Sequence, residues 1–211
     1  GPRLEVSPDH DVTLTDPVSG RRVTFQFSPT SFGFPFSFLY QPTYAPEPGV
    51  YGKLTSDGCG TLIRSNGGVA CFLSTEPTYR PSLYAYTDPY GRVYTMTAAG
   101  KLVSIKGLDG NTLTFGPSGI TSSAGNLTVA FARDSEGRIR QITDPAGKTY
   151  DYTYDAAGHL VAVKLPDAET PLRYEYDPGH FFRKGIDSRG NVEQTTTYYP
   201  HGRVKSVTDA M

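Results

Sequence analysis

The sequence contains no tryptophan, only two cysteines and two methionines among 211 residues, and no excess of charge of either sign. Its 20 Lys and Arg residues nearly balance its 21 Asp and Glu residues, so the net charge is −1. Nucleic-acid binding relies on clustered Lys and Arg that neutralise phosphate groups. We therefore expect no nucleic-acid partner.

Long apolar runs are also missing. The longest apolar-looking stretch, Phe32 to Tyr40, is interrupted by Gly33, Pro35 and Ser37, and it is far shorter than the ~20 residues of a membrane helix. The first residues, Gly1 to Glu5, contain no apolar segment of a secretory signal,. The sequence therefore predicts no membrane insertion. Because Gly-Pro is typical of the remnant of a cleaved tag, we expect the chain to be a piece of a larger protein.

Turn-forming residues are abundant instead. There are 23 glycines and 17 prolines, together 40 residues, alongside 15 tyrosines. Few windows of twelve residues lack Gly or Pro, which nearly excludes long helices. Strand-favouring aromatic residues mixed with turn residues indicate many short strands joined by tight turns, and hence an all-β fold.

The two cysteines, Cys59 and Cys71, flank a hairpin whose predicted centre is Asn66-Gly67, a pair that favours a two-residue turn. In that register Cys71 faces Leu62 rather than Cys59. A disulfide needs its Cα atoms within ~7 Å. We therefore expect two half-buried free thiols, with a disulfide only if a bulge shifts the pairing.

A repeat organises the second half of the chain. From Gly137 onward, glycines fall at 137, 147, 158, 179, 190 and 202, about every 11 residues apart from one gap of 21. Several follow an aspartate three positions earlier, as in the pairs Asp134/Gly137, Asp155/Gly158 and Asp187/Gly190. In such a turn the carboxylate bonds backbone N–H groups and Gly adopts φ > 0. The pattern predicts a meander of β-hairpins.

The strands between these turns alternate apolar and polar residues. Tyr152 and Tyr154 recur with the same spacing as Tyr174 and Tyr176, which places each pair on one face of a strand. Neighbouring hairpins must stack side by side to be stable. We predict a curved sheet strip over residues 86–211, preceded by a β-rich N-terminal cap region over residues 1–85 that covers the first edge strand.

The turn motifs carry a family resemblance. Tyr154-Asp155-Ala-Ala-Gly158, Tyr176-Asp177-Pro-Gly179 and Tyr199-Pro-His-Gly202 resemble the YD repeat of RHS-repeat proteins, a group that includes bacterial RHS polymorphic toxins, shell components of insecticidal toxin complexes and teneurins. The resemblance covers roughly residues 86–209. Two motifs depart from the pattern, because Tyr176 to Gly179 is one residue short and Pro200 replaces Asp.

The resemblance implies a β-sheet that spirals into a hollow cocoon around a C-terminal toxin. It also implies a secreted or cell-surface location within a larger bacterial protein. The partners would be further repeats and the toxin payload of the same parent chain, and edge-to-edge self-association is a further expectation. Some bacterial relatives carry a protease segment with paired Asp-Pro-x-Gly-Leu motifs. Here Gly91 and Gly147 are followed by Arg92 and Lys148, so no protease residue is transferred.

Three histidines, His159, His180 and His201, are spaced by 21 residues and suggest a metal site. Their positions relative to the turn glycines differ, and turns two strands apart are separated by ~10 Å. No Cys or carboxylate cluster completes a ligand set. We therefore expect exposed turn residues and no metal.

No nucleophile–base arrangement, phosphate-binding loop or Cys-x-x-Cys motif occurs,. We expect no catalytic residue, no cofactor and no enzymatic activity, and instead a non-catalytic structural role. The alternative is a surface adhesion or carbohydrate-binding module, because exposed tyrosines can stack on sugars. Cross-strand packing of the tyrosines, worth roughly 0.2–1 kcal/mol per pair, is the interpretation we favour.

Overall fold

The computed structural model of the chain describes residues 3–16, 19–32, 38–65, 67–75 and 78–210. Over these ranges the chain forms 22 β-strands and no helix, so no helix of the described part is able to span a membrane. The predicted all-β fold is therefore confirmed. Asn66 and residues 33–37 of the Phe32 to Tyr40 stretch lie outside the described residues.

The strands of the first half are β1 (Leu4–Val6), β2 (Val12–Thr15), β3 (Arg22–Phe27), β4 (Thr30–Ser31), β5 (Leu39–Gln41), β6 (Tyr44–Pro46), β7 (Lys53–Ser56), β8 (Leu62–Ser65), β9 (Gly68–Cys71), β10 (Leu83–Thr87) and β11 (Val93–Thr97). Those of the second half are β12 (Leu102–Lys106), β13 (Thr112–Gly116), β14 (Gly119–Ser122), β15 (Thr128–Arg133), β16 (Ile139–Thr143), β17 (Thr149–Tyr154), β18 (Leu160–Lys164), β19 (Leu172–Tyr176), β20 (Phe182–Ile186), β21 (Val192–Tyr198) and β22 (Val204–Asp209).

These strands form three sheets. Two have four strands, in the orders β1-β2-β3-β6 and β4-β5-β8-β9. The third has 14 strands and runs from β7 to β10 and then in sequence order to β22. Neighbouring strands of this run pair antiparallel with their sequence neighbours. The predicted meander of hairpins is therefore confirmed.

Contacts along the chain define two compact units. Unit 1 comprises Gly1–Gly116 and Thr121–Asn126, and unit 2 comprises Pro117–Ile120 and Leu127–Met211. The predicted boundary at residues 85 and 86 marks the start of the repeats rather than a change of compact unit, and it stays a prediction.

Unit 1 contains the hydrophobic core. The predicted hairpin over residues 12–27 forms, with Leu14 opposite Val23, and its alternate residues are buried. They pack on tyrosines of β10, where Phe25 meets Tyr86 edge-on with ring centroids 5.9 Å apart. Strand β7 pairs antiparallel with β10.

The expectation of free thiols is wrong. Cys59 and Cys71 form a disulfide with a Cα–Cα distance of 5.8 Å. The predicted hairpin register is present, because Leu62 pairs with Cys71. However, β8 begins only at Leu62, so Cys59 lies before the strand and the register does not extend to it. The loop preceding β8 brings Cys59 across to Cys71.

Unit 2 is built differently, as a sheet with almost no buried side chains. Among the described residues, Val163 is its only buried hydrophobic side chain. Directly opposed residues of antiparallel strands share a face. One face is therefore apolar and carries Phe131, Ile142, Tyr150, Tyr152, Val163, Leu172 and Tyr174. The other face is polar and carries Gln141, Asp151, Thr153, Lys164, Arg173, Glu175 and Lys184.

Candidate functional site

The turns between the strands share one hydrogen-bonded form. At Asp134, the backbone N–H donates to Arg138 O (3.0 Å) and Gly137 N–H donates back to Asp134 O (3.1 Å). The Asp134 carboxylate accepts the backbone N–H groups of Glu136 (3.0 Å) and Arg138 (2.9 Å). Turn capping by aspartate, predicted from the Asp-x-x-Gly spacing, is therefore confirmed.

The same carboxylate bond to the backbone N–H four residues ahead recurs at every turn of this type, namely at Asp88, Asp134, Asp144, Asp155, Asp177 and Asp187. At four of these turns the second carboxylate oxygen also binds the side chain four residues ahead, which is Arg92, Arg138, His159 or Asn191, whereas Lys148 binds Asp167 instead of Asp144. Arg138 Nε lies 2.8 Å from Asp134 Oδ2, and Asn191 Nδ2 lies 3.1 Å from Asp187 Oδ2. Each aspartate therefore fixes a complete loop.

These hydrogen bonds favour the ionised carboxylate. The Asn191 side chain, together with the N–H groups of Asn191 and Arg189, lowers the pKa of Asp187 to about 2. The Arg138 side chain likewise lowers the pKa of Asp134, and the His159 side chain lowers that of Asp155. Hydrogen bonding to the charged form is the cause in each case.

This pKa difference predicts an acid sensitivity. Asp187 has a pKa of about 2 in the folded chain, against 3.8 for an unperturbed aspartate. Its stabilising contribution is therefore complete above about pH 4 and is lost as the pH falls towards 2. Urea unfolding between pH 5 and pH 2 measures this, and Asp187→Asn is expected to show a weaker dependence on pH over that window. An equal dependence in both proteins would contradict the assignment.

The Asp177 turn corrects one interpretation of the sequence. It is not one residue short, because Asp177 N–H donates to Phe181 O (3.0 Å) and His180 N–H donates to Asp177 O (3.0 Å). His180 therefore occupies the position held by Gly in the other turns, with φ +67°. Aligning Gly179 with Gly158 shifted the motif by one residue. Non-glycine residues are uncommon in this conformation.

Tyrosine hydroxyls link successive repeats. Tyr154 Oη donates to Ile139 O (3.0 Å), Tyr176 Oη to Leu160 O (3.0 Å), and Tyr198 Oη to Phe182 O (2.7 Å). In each case the acceptor is the first residue of the strand that precedes the tyrosine's own strand. We call these three bonds the tyrosine staples. Sequence reasoning considered cross-strand packing and sugar stacking for the tyrosines and missed the staples.

The staple tyrosines are also covered on one ring face. Arg138 Cζ lies 4.6 Å from the centroid of the Tyr154 ring. The ring of His159 stacks on Tyr176 at 4.5 Å, and that of Phe181 stacks on Tyr198 at 4.9 Å. The covering residue in each case is the one that follows the turn's left-handed position. Each turn therefore supports the tyrosine of the next repeat.

The staples lie at one edge of the sheet. In a meander, alternate turns fall at the same edge, so the turns beginning at Asp134, Asp155, Asp177 and Tyr199 share an edge. Register shifts directly precede these turns, for example between Thr153 and Tyr154. Such bulges re-aim the side chains beside them. The Tyr-Asp pairs at 154 and 176, with Tyr198 at the next interval, are the sequence signal that would have revealed the staples.

The histidines are not separated as predicted. His180 Nδ1 lies 2.7 Å from His159 Nε2, although the two residues belong to different turns. His159 Nδ1 in turn lies 2.9 Å from Asp155 Oδ2. The estimate of ~10 Å holds for backbones two strands apart, whereas these side chains reach across. The third histidine, His201, stacks on Tyr199 instead. Within the described ranges, no group of three or more ligand residues is arranged for a metal ion.

A substitution at a turn glycine tests the loop assignment. Gly158 has φ +89°, so Gly158→Val is expected to cost about 2 kcal/mol because a β-branched residue is strained there. This corresponds to a fall in Tm of roughly 6 °C, measurable by circular dichroism. Ala156→Val, in an exposed position of the same turn, is the control and should change Tm little. Equal Tm values for Gly158→Val and the wild type would refute the assignment.

The comparisons with known proteins agree with this geometry. The family model described as RHS Repeat matches residues 133–170, which span the turns at Asp134, Asp144 and Asp155. Residues 133–170 therefore contain an RHS repeat. The search of the curated proteins found no match. The matched segment contains the first tyrosine staple, between Tyr154 and Ile139, so the RHS repeat has a direct structural counterpart here. The repeat supports an RHS-type structural protein.

Proposed function

We propose that this chain is a non-catalytic part of a cocoon-like RHS shell that encloses a toxin payload at the C-terminal end of its parent protein. The observation that carries the proposal is the sheet of unit 2, which has an apolar face with almost no buried side chain. A sheet with one apolar face requires a cover on that face to be stable in water. The remainder of the parent protein, further repeats and payload included, is the proposed cover.

The turn and staple network supports the same role. Tyrosine staples and capped turns connect each repeat to its neighbours through hydrogen bonds between side chains and the backbone. Such nearest-neighbour contacts allow a repeat sheet to extend without a central core. A wall must be continuous, and this network connects consecutive repeats. The proposed location is outside the cytoplasm, secreted or at the surface of a bacterial cell, as part of the larger protein.

Adhesion through exposed aromatic rings is the competing function. The staple tyrosines do not favour it, because their hydroxyls are engaged and one face of each ring is covered by Arg138, His159 or Phe181. Sugar stacking requires an accessible ring face, and at most one face of each of these rings is left for it. Carbohydrate binding by this chain is therefore the alternative outcome of the test below.

The test is limited proteolysis of the full natural protein, intact and with residues 127–210 deleted. We expect the polypeptide that follows this chain to resist protease in the intact protein and to be cleaved rapidly in the deleted one. A parent protein carrying Gly158→Val provides a milder variant, with Ala156→Val as its control. Identical cleavage in the intact and deleted proteins would overturn the shell proposal, and a positive glycan-array result would then support adhesion.

A further inference from the structure

We propose that Asp155, His159 and His180 form a proton-controlled latch between two consecutive repeats, closed while the two imidazoles carry at most one added proton and open when both are protonated. The latch joins the turn after β17 to the turn after β19. His159 stands in the middle, with Nδ1 2.9 Å from Asp155 Oδ2 and Nε2 2.7 Å from His180 Nδ1. The inference concerns a response to pH and does not depend on the enclosed payload.

The number of protons on the two rings decides whether the latch holds. With both imidazoles neutral, His159 Nδ1–H donates to Asp155, and His180 Nδ1–H donates to His159 Nε2. With one added proton, His159 donates from both nitrogens, and His180 accepts at Nδ1. With two added protons, an N–H of each ring faces the other at 2.7 Å. The hydrogen bond is then lost and two positive charges repel each other.

The charged side chains near the two histidines are bound to other partners. The turns and strands packed around them carry Arg138, Glu175, Asp177 and Arg183. Arg138 is bound to Asp134 at 2.8 Å, and Arg183 to Glu175 at 3.3 Å. The Asp177 carboxylate caps its own turn. The phenol of Tyr176, stacked on His159, has its pKa raised by burial and stays neutral throughout the range.

The backbone gives a second, independent indication. His180 has φ +67°, whereas Gly91, Gly137, Gly147, Gly158, Gly190 and Gly202 hold the corresponding position with φ between +81° and +90°. A histidine there is less favourable than glycine by backbone conformation alone. Strain retained at one position of a repeat points to a local function. His180 makes a side-chain contact with His159, which the glycines at the corresponding position of the other turns cannot make.

The fold itself supplies conservative variants for a test. His180→Gly restores the residue found in the other turns and removes the contact. His159→Asn keeps a donor to Asp155, because Asn191 binds Asp187 in the same way at 3.1 Å. The wild type, the two single variants and the double variant form a double-mutant cycle, measured by urea unfolding of the full chain at pH 8.0 and pH 4.0. The cycle cancels the strain released in His180→Gly and the stacking lost in His159→Asn.

We expect the cycle to give a coupling of about fivefold in the unfolding equilibrium constant at pH 8.0, the contribution of one hydrogen bond. At pH 4.0, where acid favours the doubly protonated pair, the coupling is expected to vanish or reverse, because two positive charges then face each other. His201→Asn, which alters a histidine without such partners, should leave the pH dependence unchanged. A coupling that is equal at the two pH values, or absent at pH 8.0, would overturn the latch.

Discussion

Replacing Tyr154, Tyr176 and Tyr198 together by phenylalanine is expected to destabilise the chain by about 3 kcal/mol, since each hydroxyl lost removes a hydrogen bond worth about 1 kcal/mol. The acceptors, which are backbone carbonyls of Ile139, Leu160 and Phe182, lose a partner at the same time. The rings remain, so packing is conserved. Thermal unfolding followed by circular dichroism should show a fall in Tm of roughly 9 °C.

Tyr152→Phe is the matched control for this triple variant. Tyr152 lies in the same strand as Tyr154 and pairs with Val163, but its hydroxyl bonds no residue in the described part of the chain. Its substitution is expected to change stability by less than about 0.5 kcal/mol. If the triple variant were no less stable than the control, the staples would not hold the repeats together.

The second large effect is expected in unit 1, at the disulfide. Cys59 and Cys71 are separated by 12 residues, and closing a loop of this size stabilises a protein by about 3 kcal/mol in the chain-entropy account. Replacing both cysteines by alanine should therefore lower the free energy of unfolding by about that amount. Urea unfolding with and without dithiothreitol measures it.

The double alanine variant also provides the control for reduction. Dithiothreitol should destabilise the wild type to the level of the variant and leave the variant itself unchanged. An unreduced wild type that is no more stable than the variant would show that the bridge is absent or contributes nothing to folding.

The Cys59–Cys71 disulfide shows why part of the fold could not be predicted from the sequence. The Asn66-Gly67 hairpin register was predicted because it depends on local turn chemistry, and Leu62 does face Cys71. Extending that register back to Cys59 assumed that the strand began earlier than Leu62. Where a strand begins depends on its surroundings in the folded chain, which a local pattern does not contain.

The repeat shows the same division between local and long-range information. Asp134 and Gly137 indicate a turn within four consecutive residues, so the turns were predictable. The bond from Tyr176 to Leu160 spans 16 residues and needs the register of two neighbouring hairpins. The contact between His159 and His180 was missed because the ~10 Å between backbones two strands apart does not show that their side chains can reach each other. The Asp177 turn was aligned one residue out of register for a different reason. A positive φ at a histidine contradicts the usual preference for glycine, so the sequence favoured the wrong alignment.

Cryo-electron microscopy of the full natural protein tests the central claim most directly. The account predicts that strands β15–β22 continue into further hairpins, that their apolar face is covered by other parts of the same protein, and that polypeptide density fills an enclosed cavity. A map in which both faces of this sheet are open to solvent, with no enclosed polypeptide, would contradict it.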